Sequence, residues 1–455
     1  MMKDLFRRLR PLAAVAGASL VSLLMYGYSY KASPNLSQLL PFINKLQNPE
    51  LYPRDMYVAS MPSFPSLYPK LVALAVSPEW LAAFHACAYA AVLLLFFWLL
   101  RKLALLFFSD ELTADIACLL AALSPLVAVL SLLGDDPIIK TSFYQTTLAA
   151  PATLAALYLF LTRRYFPALL IAGGLYWINA LPANYLAGLL AAGTLAAQDR
   201  KKTIAGWVCF AIFATSWFVW KSGLPNVFAP PSADYLQTLY KWYSGHYFAL
   251  SWSGDKVIRA AGYIALFAML FRRYAGSTPY AAQLKAFMWA FAAMWAAGFV
   301  FADLVPVPLV VMAQLFRSDT LFIVFGVLLC SRHIAALLSG NGEDGDYFLA
   351  GILLVVLTEL EQPVLLPGAV LLVAARMFYP RAEIMIAAVS AVICAVYAFA
   401  VPVYALQNGA GALLCAGLFS CLFFRKDVFK IKRRVILPLA LAQCLVVMAE
   451  RAGTG

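Results

Sequence analysis

The sequence predicts an all-α, polytopic integral membrane protein, and three observations predict it. Of its 455 residues, 64% are hydrophobic and only 12% are charged, whereas soluble domains are close to a quarter charged. Mean hydropathy is +0.81. Apolar runs of about 18 or more residues recur from end to end, each long enough to cross a hydrocarbon core. The runs are long and do not alternate. Backbone groups in lipid must be satisfied internally, so such runs are helices and not the strands of a barrel.

Taken in order, the runs suggest about 14 to 15 spans. They lie near 11–30, 81–100, 113–133, 143–162, 165–181, 184–198, 203–220, 257–271, 286–302, 320–337, 347–360, 363–378, 383–402, 409–424 and 435–450. Lys3, Arg7, Arg8 and Arg10 precede the first run. The positive-inside rule therefore expects a cytoplasmic N-terminus, and the run reads as an uncleaved first span. Basic clusters recur at Arg101/Lys102, Arg163/Arg164, Arg200 to Lys202, Arg272/Arg273, Arg332, Arg376/Arg381 and Arg425 to Arg434. One span separates each basic turn from a turn poor in bases. Two outer loops are long, 31–80 and 221–256. Neither is large enough to fold alone, so both are expected to pack on the membrane part.

The net charge of +12 does not indicate nucleic-acid binding. The bases sit in short turns between spans and form no stripe with interleaved aromatics. Most of the eight cysteines fall inside apolar runs without a CxxC pair, as packing residues do. No P-loop, GxSxG, HExxH or dinucleotide fingerprint is present.

Four groups of residues have chemistry to offer. In Ser33 to Asp55, the first outer polar stretch, Pro49 and Pro53 stiffen the turn that carries Glu50 and Asp55. A carboxylate held at a membrane surface is partly desolvated, which raises its pKa and suits it to general-base work. The plain alternative is a loop Asp paired with Arg54. Next, Asp135 and Asp136 lie side by side in Gly134-Asp135-Asp136-Pro137. They suit a divalent ion, one shared proton, or a helix cap. In Gln314 to Asp319, Arg317 offers a fork for phosphate or carboxylate. Ser318 or Asp319 is placed to cap the following helix, whose N-terminus would suit a lipid phosphate. Alternatively, Arg317 only anchors the span. The loop 232–256 is dense in Tyr and Trp and holds His246. Sugar binding and an interfacial aromatic belt both explain it.

These features resemble the GT-C-type membrane glycosyltransferases, in particular an uncharacterised bacterial branch. The shared pattern is Gln38, Pro41, Pro49, Leu51, Tyr52, Pro53 and Asp55, followed by Gln314, Arg317 and Ser318. It covers about residues 1–335, which the resemblance implies are a GT-C-like transmembrane core to which 336–455 add further C-terminal spans, and it lacks the D-x-D or E-x-D pair of better-known members. The resemblance implies a GT-C-like fold in a bacterial inner membrane. It implies transfer of a sugar from a polyprenyl-phosphate donor to a glycan, lipid or protein acceptor on the outer face, in cell-envelope glycan synthesis or modification. Asp55 is then the catalytic base. Glu50, Gln38, Asp135, Asp136, Gln314, Arg317 and His246 are then substrate-binding residues, and a divalent cation is an option the sequence does not require. Two other readings stay open: a lipid-linked sugar flippase, and a non-catalytic subunit of an envelope polysaccharide system.

Overall fold

The computed structural model describes residues 2–30, 34–222, 231–339, 344–358, 365–400, 414–418 and 420, and among these it contains helices and no strand. The helices are α1 (Met2–Tyr26), α2 (Pro34–Gln47), α3 (Met56–Ser60), α4 (Tyr68–Ala75), α5 (Leu81–Phe108), α6 (Glu111–Leu123) and α7 (Pro125–Ala128). Next come α8 (Gln145–Leu161), α9 (Tyr165–Ile178), α10 (Ala180–Leu195), α11 (Ile204–Ser222), α12 (Ala233–Tyr247) and α13 (Gly254–Tyr274). The remainder are α14 (Ala281–Gly298), α15 (Pro308–Ala313), α16 (Asp319–Ser339), α17 (Asp344–Thr358), α18 (Leu365–Phe378) and α19 (Glu383–Ala400).

Five segments among the described residues are long and apolar enough to cross a membrane: Leu9–Tyr26, Pro78–Phe108, Arg200–Lys221, Ala281–Leu304 and Pro308–Ser339. Five shorter apolar helices, α8, α9, α10, α17 and α18, pack among them. The expected spans 409–424 and 435–450 lie almost wholly outside the described residues. The five long segments are not equivalent. In the α16 segment 83% of the apolar window is buried, against 11% in the α11 segment. Thus α16 is the central post, and α11 turns Val208, Ile212 and Val219 outward.

The expected span 113–133 is not one helix. Helix α6 stops at Leu123, Pro125 opens the single turn of α7, and 129–144 follows without a helix. Proline lacks an amide hydrogen and clashes with the preceding turn, so the helix cannot run on. This break releases the chain that carries Asp135 and Asp136. In the first polar stretch, α2 buries Leu36, Leu39, Phe42 and Ile43 and leaves Gln38 exposed. That spacing is one helical face, and it docks on α4.

The two ends of α16 carry different charge networks. Toward its C-terminal end, Arg332 pairs with Asp110 at 3.2 Å. Asp110 also caps α6, accepting from the Leu112 and Thr113 amides. Close by in sequence, Asp115 accepts from Arg10 Nη2 at 2.6 Å and Arg101 Nε at 3.1 Å, and Glu111 also pairs with Arg101. These contacts tie α1, α5, α6 and α16 together. With a rise of 1.5 Å per residue, Asp319 at the opposite end of α16 is roughly 20 Å from Arg332. The second network sits there.

Candidate functional site

The site is built where the 129–144 segment meets the start of α16. Asp319, in the first turn of α16, is fully buried. It does not serve as the helix cap expected from the sequence. Its Oδ2 reaches across to the loop, accepting the Leu133 amide at 2.6 Å, the Gly134 amide at 3.2 Å and the Ser131 hydroxyl. Ser318 likewise turns away from a capping role. It donates to the Leu315 carbonyl and accepts Trp295 Nε1.

The loop lies so close that a Cβ on Gly134 would stand 2.5 Å from Arg317 Cα. Only glycine fits there. Arg317 then meets Asp136, with Nη2 at 2.5 Å from Oδ2, while Lys140 binds the other oxygen, Oδ1. All three side chains are largely buried, with 11 to 16% of their surface exposed. Burial disfavours the ionised carboxyl of Asp136. Arg317 and Lys140 outweigh that effect and hold it below the usual carboxylate range.

Gln314 orients the guanidinium. Its backbone takes a left-handed φ of 47°, which brings Oε1 to Arg317 Nη1 at 2.5 Å and Nε2 to the Tyr247 hydroxyl at 2.6 Å. The Tyr185 hydroxyl donates to the Gln314 and Ala313 carbonyls at 2.9 and 3.1 Å. From the long second loop, α12 closes over the same spot. His246 Nδ1–H donates to the Gly134 carbonyl at 2.7 Å. Burial pushes the His246 imidazole below its ordinary pKa, against the pull of that bond. Lys256 pairs with Asp135 at 2.7 Å. Asp135 in turn lies against Gly245, where a Cβ would fall 1.8 Å from its Oδ2.

Beside this cluster is a cavity of about 1250 Å³. Its polar lining includes Asp135, Asp136, Lys140, Gln145, His246 and Arg317, and its walls are largely apolar. The end of the first loop, Ser63 to Ser66, also borders it. Ser66 Oγ is held there by the Ile178 carbonyl at 2.6 Å.

Of the residues singled out from the sequence, Asp135, Asp136, Gln314, Arg317 and His246 therefore converge on one cavity. Asp55, Glu50 and Gln38 do not line it. Asp55 is exposed, and its Oδ1 caps α3 by accepting the Val58 amide at 3.0 Å. Glu50 is an exposed turn residue whose amide donates to Asn48 Oδ1. Sequence reasoning passed over Lys140 and Lys256, although a lysine four residues after Asp136 was a readable pairing signal. Among the described residues, no three His, Cys, Asp or Glu side chains gather as metal ligands. Asp135 and Asp136 point to different cations, so side chains supply the positive charge at each.

No family model matches the chain, and neither the curated proteins nor the solved structures contain a match to it.

Proposed function

We propose that the protein is a GT-C-like membrane glycosyltransferase that moves a sugar from a polyprenyl-phosphate donor to an acceptor hydroxyl at the Arg317 end of the bundle. That end is taken to be the outer face of a bacterial inner membrane. The observation that carries this reading is the cavity itself. It places buried ionic groups, Asp136, Lys140 and Arg317, beside apolar walls, which suits a ligand with a polar head and a hydrocarbon tail. Unpaired ionisable groups at membrane depth are expensive, so a matched cluster of this kind points to function.

In the transfer, a bond forms between the acceptor oxygen and the sugar C1, and the bond from C1 to the phosphate oxygen breaks. The electron pair leaves with the lipid phosphate, and the acceptor proton passes to a carboxylate. Asp136 is a poor base, because both of its oxygens are bound by cations. Asp135, on the same cavity but half exposed, is the better one. Positioning and fixed charge then supply most of the rate.

The test is transfer of labelled sugar from a polyprenyl-phosphate donor by the full chain in proteoliposomes. Asp135→Asn is expected to abolish it and Asp55→Asn to retain it. The reverse result returns the base to the first loop, and no transfer by the unaltered chain overturns the reading. One observation favours a second reading, a non-catalytic subunit of an envelope polysaccharide system: Asp55 lies outside the cavity lining.

A further inference from the structure

The cations of the cavity are not equally available. Arg317 and Lys140 share Asp136, and Asp135 is held by Lys256. Lys221 also lines the cavity, and among the described residues no carboxylate lies within ion-pairing distance of it. Its Nζ donates to the Pro62 carbonyl at 3.3 Å and sits 4.1 Å from the centre of the Trp220 ring. Among the described residues, Lys221 is thus the cation of the lining whose charge is left over.

Four residues earlier on α11, and so on the same helix face, Trp217 lines the same cavity. Its Nε1–H is buried with no acceptor, a costly state for a donor that a ligand would relieve. At the Arg317 end the orphaned atoms are of a different kind. Arg317 Nε and Gln145 Oε1 are both buried without partners. One donates and the other accepts, which is the complement of a hydroxyl group and not of an anion.

We propose that Lys221 and Trp217 seat the phosphate of a lipid-linked phosphate sugar, a phosphodiester, and that Arg317 and Gln145 take the hydroxyl-bearing sugar of the same ligand. This rests on the reading of the cavity as the site for a lipid-linked sugar. It reverses the expectation that Arg317 holds the phosphate. The physical reason is charge balance: Arg317 is already neutralised inside the protein, and an incoming anion there would compete with Asp136. The source of the anion follows from α11, whose apolar window is the least buried of the five long segments. A head group at Lys221 has hydrocarbon beside it for its tail.

The experiment is calorimetric titration of the detergent-solubilised full chain with a short isoprenyl monophosphate, the matching isoprenyl alcohol and inorganic phosphate. Lys221→Gln is expected to weaken the monophosphate by about tenfold and Lys221→Arg to restore it. Trp217→Phe, which keeps the ring and removes the donor, is expected to weaken it several-fold. The alcohol should bind alike in all variants. An unchanged monophosphate affinity in Lys221→Gln overturns the proposal, as does equal weakening of the alcohol. Inorganic phosphate binding as tightly as the monophosphate overturns the lipid source. Sugar transfer is not read in this titration. A chain that binds as expected but transfers nothing loses the transferase reading and keeps the phosphate seat.

Discussion

Asp319 holds Gly134 across 185 residues of chain, its carboxylate accepting the glycine amide at 3.2 Å. That contact sets the distance between the two segments that make the site. Because Asp319 is anchored to the loop, Arg317 two residues before it faces Asp136 and Lys140. Removing the anchor leaves the Ser131 and Leu133 donors without their acceptor, while the Gly134 amide keeps only Ser131 Oγ. Asp319→Ala is expected to cost about 3 kcal/mol, read as a lower melting temperature in detergent.

Gly134 is the point of closest approach. Gly134→Ala puts a methyl 2.5 Å from the Arg317 backbone, so the loop must move and the Asp136–Arg317 pair must open. The site is expected to lose binding of an isoprenyl monophosphate and, with it, the proposed sugar transfer. In α9, Gly174 has nothing within 4 Å of a built Cβ. Gly174→Ala is expected to leave transfer unchanged and stability unchanged or slightly raised, because alanine favours helix.

Asp136 balances two buried cations. Asp136→Asn leaves Arg317 and Lys140 facing each other without their shared anion, and the expected loss is about 3 to 5 kcal/mol. Acid acts on the same group. Its carboxyl lies below the usual range when folded, so the unfolded chain takes up the proton first. The stabilisation is complete above the ordinary carboxylate pKa of about 4 and is lost as pH falls through the lower folded value. An unfolding series from pH 6 to pH 3 reads it, with Asp136→Asn flattening the curve.

His246 gives α12 a separate pH response. Its folded pKa is depressed by burial, so the released helix binds the proton more readily. Docking of α12 on Gly134 is at full strength above about pH 6.5 and weakens as pH falls through that value. Hydrogen exchange of α12 at pH 7.5 and pH 5.5 is expected to differ, and His246→Gln should remove the difference.

At the other end of α16, Asp115 neutralises Arg101, a residue only 4% exposed. Asp115→Ala leaves that guanidinium with Glu111 as its remaining carboxylate, and about 3 kcal/mol is expected to be lost. The substitution should lower the melting temperature without altering affinity for an isoprenyl monophosphate, because the cavity lies at the far end of the post.

Much of the helical layout follows from composition and run length. Segments such as Leu81–Phe108 and Asp319–Ser339 are apolar enough to be helices wherever they are placed, because lipid leaves the backbone no other way to satisfy itself. The residue types of the site were legible too. Asp135, Asp136, His246, Gln314 and Arg317 stood out as polar groups at the ends of apolar runs. Their assembly was not legible. Nothing in the chain says that Asp319 turns away from its own helix to grip a loop 185 residues back, or that Asp55 spends its carboxylate on capping α3. Nor does it say that Lys140 shares Asp136 with Arg317. Local sequence determines what each segment must bury. Which charges meet depends on long-range packing, here on a glycine with no room for a methyl and a proline that ends α6 early enough to free the loop.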